Sequence, residues 1–329
     1  MRTKLFVRAL GAGMTVAALA AVAACSSSGG GGGSGGGGGT GNGGGGGGGG
    51  SASLPGAGKP PIVMGDKNFS EQYLLGALYQ QALQAKGYKV TLKGNIGSSS
   101  VIDKALTSGK IQWYPEYTGV IYTELAKLGD RPKSAKVTYE GAKKWEGKRG
   151  FALLNPTPFQ DADGIAALKP YAKKYHLKTI ADLKKVPHFT YGGPPENKTR
   201  YQGVKGLEQA YGLHNFTFLP LQIGSQYQAL DQGKVNTIAI FTTDGQLASG
   251  KYAVLTDTKG IFGYQQVAPV VKKSLLKTEG PAFAQTLNKV SSLLTIPAIV
   301  SMNKAVQIDQ KNPAAVAKQF LQANHLLSS

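Results

Sequence analysis

Between Gly29 and Gly50 the chain places 19 of its 47 glycines, interrupted only by Ser34, Thr40 and Asn42. A run with almost no side chains has nothing to bury, so it divides the 329 residues into a short leader and a folding body. From Ser51 onward 279 residues remain, enough to build a large core without disulfides or metal. Cys25 is the only cysteine, so no disulfide can form within the chain. His176, His188, His214 and His325 are scattered without ligand spacing, and no metal site is expected. Lys and Arg outnumber Asp and Glu by 37 to 18, and three of the positive residues fall in the leader. The remaining positive charge is dispersed and accompanies no nucleic-acid motif, so it speaks for residence near anionic surfaces and not for nucleic-acid binding.

Arg2, Lys4 and Arg8 precede an apolar run from Ala9 to Ala24, which has the form of an export signal and is short for a membrane span. The run ends Val22-Ala23-Ala24-Cys25, and small residues before a single cysteine resemble the lipobox of bacterial lipoproteins. Residues 1–25 are therefore expected to be a lipoprotein signal peptide with Cys25 as the lipidation site; the alternative is a plain signal cut at an Ala-x-Ala site. Residues 26–59 then read as a flexible tether, the glycine run alone reaching about 25 Å. The body is expected outside the cytoplasm, anchored by lipid to the bacterial cytoplasmic membrane.

Apolar strands alternate with amphipathic helices along the body. Ile62–Met64 reads as a strand ending at Gly65, followed by a helix from about Glu71 to Lys86 capped by Ser70. Tyr88–Leu92 and Ile111–Tyr114 read as strands around a helix capped by Ser98–Ser100, and Pro115 reads as the start of another helix. Strands at 165–168, 188–191, 216–219 and 235–241 continue the series, with helices after Thr179, at 204–211, 282–294 and 313–323. Such alternation predicts an α/β fold with largely parallel sheets. A second start of the pattern after residue 160 predicts two lobes with a ligand cleft at the strand ends. No Walker A, Gly-x-Ser-x-Gly or dinucleotide motif occurs, so no cofactor and no enzyme activity are implied.

Four blocks then fall in a recognisable order: Gly65-Asp66-Lys67-Asn68-Phe69-Ser70-Glu71-Gln72-Tyr73, Trp113-Tyr114-Pro115-Glu116-Tyr117-Thr118-Gly119, Tyr227-Gln228-Ala229-Leu230 and Phe241-Thr242-Thr243-Asp244-Gly245. Across residues 60 to 329 the chain resembles the substrate-binding proteins of ABC importers for glycine betaine, choline and related osmoprotectants. The resemblance implies a type II periplasmic-binding-protein fold with two crossovers, residues 60–160 and 266–329 forming one lobe and 161–265 the other. It also implies an ABC permease and its ATPase subunit as partners, and a small-molecule solute of betaine or choline type.

In that family a quaternary ammonium is held by aromatic rings, because a methylated cation has no N–H to donate and gains from the negative ring face. Tyr117 matches one cage tyrosine and Phe241 keeps an aromatic at another position. Asp163 stands where the family often has a cage tyrosine, and Gln265, beside Tyr264, stands at a second. Val120 replaces a threonine that often contacts ligand. Lys67 and Arg200 are the implied donors to a carboxylate, with Asp161 and Asp163 supplying negative charge opposite them. Tyr73, Tyr114 and Phe69 read as packing aromatics. The lost tyrosines motivate an alternative solute, an amino-acid-like zwitterion or a small aromatic. A third reading is an extracellular enzyme or wall-adhesion module, with Glu116 and Asp161 or Asp163 drawn as a carboxylate pair for glycoside hydrolysis.

Overall fold

A computed structural model of the chain describes residues 53–327, which form one compact unit. The leader, the glycine run and Cys25 lie outside the described residues. Packing begins before residue 60: Gly56 N–H donates to the Lys86 carbonyl at 2.8 Å, so the expected tether boundary at residue 59 falls a few residues late.

Among the described residues ten strands make two five-stranded sheets. The first contains β1 (Ile62–Gly65), β2 (Val90–Lys93), β3 (Trp113–Tyr117) and β4 (Phe151–Leu153), together with β10 (Val267–Lys272). Its order is β2-β1-β3-β10-β4. The second contains β5 (Asp163–Leu168), β6 (Phe189–Gly193), β7 (Phe216–Pro220), β8 (Thr237–Phe241) and β9 (Tyr252–Leu255), in the order β7-β6-β8-β5-β9. The two orders are the same pattern twice. In each sheet three parallel strands meet a fourth that runs antiparallel to both its neighbours. These antiparallel strands, β5 and β10, are the ones that enter each sheet from the other half of the chain. The expectation of largely parallel sheets is thus corrected to mixed sheets, because a chain that crosses over and returns must insert one strand against the local direction.

The central strands of both sheets are buried on both faces, which is why they read as apolar runs, while the edge strands β2, β7 and β9 are partly exposed. On β10, Val267 and Val271 join the cluster of Met64, Trp113 and Phe283, while Ala268 and Val270 join that of Ile102 and Tyr114. The first cluster is covered by helices Ser70–Ala85, Pro281–Leu293, Ile296–Gln307 and Pro313–Ala323. Trp113 packs edge-on to Tyr79 and Phe283 at 5.7 and 6.2 Å between centroids.

Pro115 does not start a helix. It lies inside β3 opposite Pro269 of β10, so both missing N–H groups fall at one rung of the ladder. The helical turn begins at Thr118 and widens to a π-turn over Ile121–Leu125. Neither serine cap forms: Ser70 Oγ accepts from Gln307 Nε2 at 3.0 Å, and Ser99 Oγ accepts from Lys67 at 3.1 Å.

Candidate functional site

The loops that leave the carboxyl ends of β1, β3, β6 and β8 converge where the two crossovers run side by side. Gln160 bridges Gln266, and Asp161 N–H donates to the Gln265 carbonyl at 3.0 Å. A cavity forms there, and all seven candidate residues, Lys67, Tyr117, Asp161, Asp163, Arg200, Phe241 and Gln265, line it. The centre of a water molecule has about 50 Å³ to move in, so the cavity suits a small solute and not a polymer. Phe69, Val120 and Asn197 line it as well.

Its apolar side is a wall of three rings. Phe69 stands between Tyr117 and Phe241, 6.0 and 5.4 Å away, with ring planes within 25° and 20° of parallel. A cation clasped between two faces needs them roughly 8 to 12 Å apart, so here it can lie against the rings but not between them. Phe69, read from sequence as a packing residue, is the middle of the wall; Tyr114 is fully buried core, as expected.

Lys67 already occupies part of this wall. Its ammonium lies 4.4 Å from the Tyr117 ring centroid and donates to Glu116 Oε1 at 2.5 Å and Ser99 Oγ at 3.1 Å. Glu116, fully buried, also accepts from Tyr117 N–H at 2.8 Å. That engagement leaves it poorly placed for the acid-base work a carboxylate pair would need. Arg200, from the second half, pairs with Glu124 of the π-turn at 2.8 Å, and Gln202 Nε2 donates to Thr123 Oγ1 at 3.1 Å beside it. Both contacts join segments that carry different sheets, across the cavity.

A second junction lies beneath the rings. Glu71 is fully enclosed and accepts three bonds, from Tyr117 Oη at 2.7 Å, Thr243 Oγ1 at 2.6 Å and Asn303 Nδ2 at 2.7 Å. Burial still raises its proton affinity, which those bonds and Lys67 only partly offset. Asp161 accepts from Thr243 N–H at 3.3 Å, and burial, reinforced by Glu71 and Asp244, holds its pKa well above the usual range. Asp163 is pushed up to about 6 by burial, against the pull of Arg200 and Lys67. Burial likewise raises Glu124 to about 7 despite Arg200. Gln265, which lines the cavity, accepts from Val120 N–H at 3.1 Å through its amide oxygen.

Residues 60–323 match the family described as the substrate-binding domain of ABC-type glycine betaine transport systems. The chain belongs to this family. A glycine-betaine-binding protein of Pseudomonas aeruginosa is 31% identical over 280 residues, covering 80% of this chain and 88% of the relative. An ergothioneine transport permease/ergothioneine binding protein of Helicobacter pylori is 30% identical over 80% of this chain and 47% of its own length. Among solved structures, a glycine betaine/carnitine/choline ABC transporter protein superposes with a TM-score of 0.67 at 26% identity, covering 81% of this chain and all of that one. Apo YehZ of Escherichia coli gives 0.61 at 28%, over 81% of this chain and 99% of that one. The fold is that of the type II periplasmic binding proteins. Members of this solute-binding family work outside the cytoplasm with a membrane permease, and among the described residues no helix is long and apolar enough to cross a membrane.

Proposed function

We propose that the protein captures a small quaternary-ammonium solute of the betaine or choline type and delivers it to its ABC permease and ATPase, while held to the cytoplasmic membrane by a lipid on Cys25. The lobes of this reading are residues 60–160 with 266–329, and 161–265, closing about the paired crossovers. Lys67, Tyr117, Asp161, Asp163, Arg200, Phe241 and Gln265 form the binding site, with Phe69 added to them.

One observation carries the reading. Seven residues from separate segments, picked out as candidates in the sequence, line one small cavity that combines an aromatic wall with carboxylates. A methylated cation gains from both, from the ring faces by cation–π attraction and from the carboxylates by charge. An amino-acid-like zwitterion draws support from Gln265, whose amide brings a hydrogen-bonding group to the cavity where the family often has a ring.

Calorimetric titration against glycine betaine, choline, carnitine, proline and small aromatics separates these readings. A quaternary amine is expected to bind in the micromolar range or tighter, at about −8 kcal/mol. Saturable binding of proline or an aromatic compound alone points to the second reading. For the anchor, Cys25→Ser is expected to release the protein from membranes; a variant that stays membrane-bound and correctly processed contradicts it.

A further inference from the structure

Helix Ala135–Lys148 buries only Thr138, Ala142 and Glu146. Its outer side carries Val137, Gly141, Lys144, Trp145 and Lys148, whose spacing of four, three, one and three residues makes one continuous helical face. That face and the segment from Tyr122 to Leu128 enclose a surface groove in which the centre of a water molecule has about 500 Å³ to move. Tyr122 packs across it: a Cβ on Gly141 would lie 2.6 Å from the Tyr122 ring, so glycine is what lets the ring lie against the helix. Lys127 then turns the chain at a φ of 51°, and Leu128 N–H donates to the Tyr122 carbonyl at 2.9 Å. The result leaves two large apolar side chains open to solvent in one groove, Leu128 at 45% and Val137 at 40%.

The surroundings are strongly basic. Lys144 and Lys148 line the groove, and Lys136 and Lys143 stand on the adjoining flank of the helix. Lys127, Arg131 and Lys133 precede it, and all of these cations are exposed. Against them, the exposed acids from Ala126 to Lys148 are Asp130 and Glu140, and Glu140 lies 3.9 Å from Lys136. Among the described residues neither Lys144 nor Lys148 forms an ion pair. Trp145 lines the groove too, with the Arg149 guanidinium 3.9 Å from its ring centroid.

Apolar side chains and an indole set among unpaired ammonium groups match a surface that offers phosphate beside acyl carbon. A lipid layer needs no ridge shaped to the groove. It is also within reach on the lipid-anchor reading, since the 27 residues between Cys25 and Ser53 would span about 30 Å as a flexible chain. We propose that this groove is a membrane-docking face: Lys144 and Lys148 bind the phosphates of anionic phospholipids, while Leu128, Val137 and Trp145 enter the headgroup layer. The chemistry of the face rests on its own side chains, and only its nearness to a membrane rests on the anchor.

The test is sedimentation of the processed chain from Ser26 onward, without its lipid, with vesicles, so that binding reports the face and not the anchor. At about 0.1 M salt, vesicles of about one-third phosphatidylglycerol in phosphatidylcholine should bind it at least about tenfold more tightly than phosphatidylcholine alone. Lys144→Glu with Lys148→Glu should lower that binding by about tenfold or more. Lys173→Glu with Lys174→Glu, an equal charge change at exposed positions elsewhere, should lower it by no more than about threefold. Trp113 is fully buried, so of the two tryptophans Trp145 is the one placed to respond. Its emission should shift to the blue with anionic vesicles and not with neutral ones, and Leu128→Ser with Val137→Ser should reduce the shift. Thermal melts check that each variant folds. Equal binding to the two kinds of vesicle, equal losses for the two charge changes, or binding without an emission shift overturns the proposal. A Lys144→Glu, Lys148→Glu protein that binds vesicles unchanged but no longer cross-links to the permease would assign the face to an acidic protein surface and overturn it as well.

Discussion

Tyr117 has two separable duties. Its ring face carries the Lys67 ammonium and belongs to the aromatic wall, while its hydroxyl donates to the buried carboxylate of Glu71. Tyr117→Phe keeps the face and removes a donor from an enclosed acid, so it should cost about 1 to 3 kcal/mol of stability in denaturant titrations and little affinity. Tyr117→Ala also removes the wall and should weaken solute binding by about 1 to 3 kcal/mol in calorimetry. Equal affinity losses for the two would mean that the hydroxyl makes the contact. Lys67, Tyr117 and Phe241 were legible as cavity-lining residues because the blocks that carry them keep order and spacing. The pairing of Lys67 with Glu116 was not, since those residues lie 49 positions apart and meet only through the β1–β3 register. Phe69 packs against the core as read, and its second place, lining the cavity, was not legible, because beside a helix start a packing ring and a wall ring have the same sequence pattern.

Among the elements, strands with continuous apolar runs were found within three residues at either end, and Pro313–Ala323 fell where expected. The strands β4, β9 and β10 were passed over, as was the helix Ala135–Lys148. Pro269 interrupts the β10 run, and the helix carries two glycines and buries only Thr138, Ala142 and Glu146, too little for a visible apolar stripe. The turn after β8 depends on close approach of another element. A Cβ on Gly245 would lie 2.6 Å from Lys304 Cα in helix Ile296–Gln307, a backbone atom that cannot swing aside. Gly245→Ala should therefore lower stability by about 1 to 3 kcal/mol, seen as a lower melting temperature; an unchanged melt would mean that this helix is free to shift. The Arg200–Glu124 pair joins the π-turn to the second half, so Arg200→Ala should speed solute dissociation by about tenfold in stopped-flow measurements. An unchanged off-rate would show that the pair is not a latch.

At the scale of the whole molecule, the alternation of strands and helices revealed the α/β class, while the shared strand order of the two sheets left no sequence repeat to read. Position in a sheet is set by crossover geometry, which neither periodicity nor composition encodes. The buried acids have a global consequence: Glu124 and Glu146 at about 7, and Asp66, Asp163 and Asp244 at about 6, bind protons more tightly folded than unfolded, burial being the first cause in each. Unfolding between about pH 4 and about pH 7 then releases protons, so stability should be fully present below the unfolded values near 4 and fall as pH rises through the folded ones. Thermal melts of the solute-free protein should show a higher midpoint near pH 5.5 than near pH 8, by at least about 2 °C. A midpoint that rises with pH would place the dominant linkage elsewhere. Opening of the cleft without solute should appear as a larger radius of gyration in scattering than with saturating solute, and identical curves would count against closure. The most direct measurement is a crystal structure grown with saturating choline. The methylated nitrogen is expected in the cleft within about 6 Å of the centroid of at least one of the rings of Tyr117, Phe69 and Phe241. Choline bound away from these rings, or a cleft without it at saturation, would contradict the account.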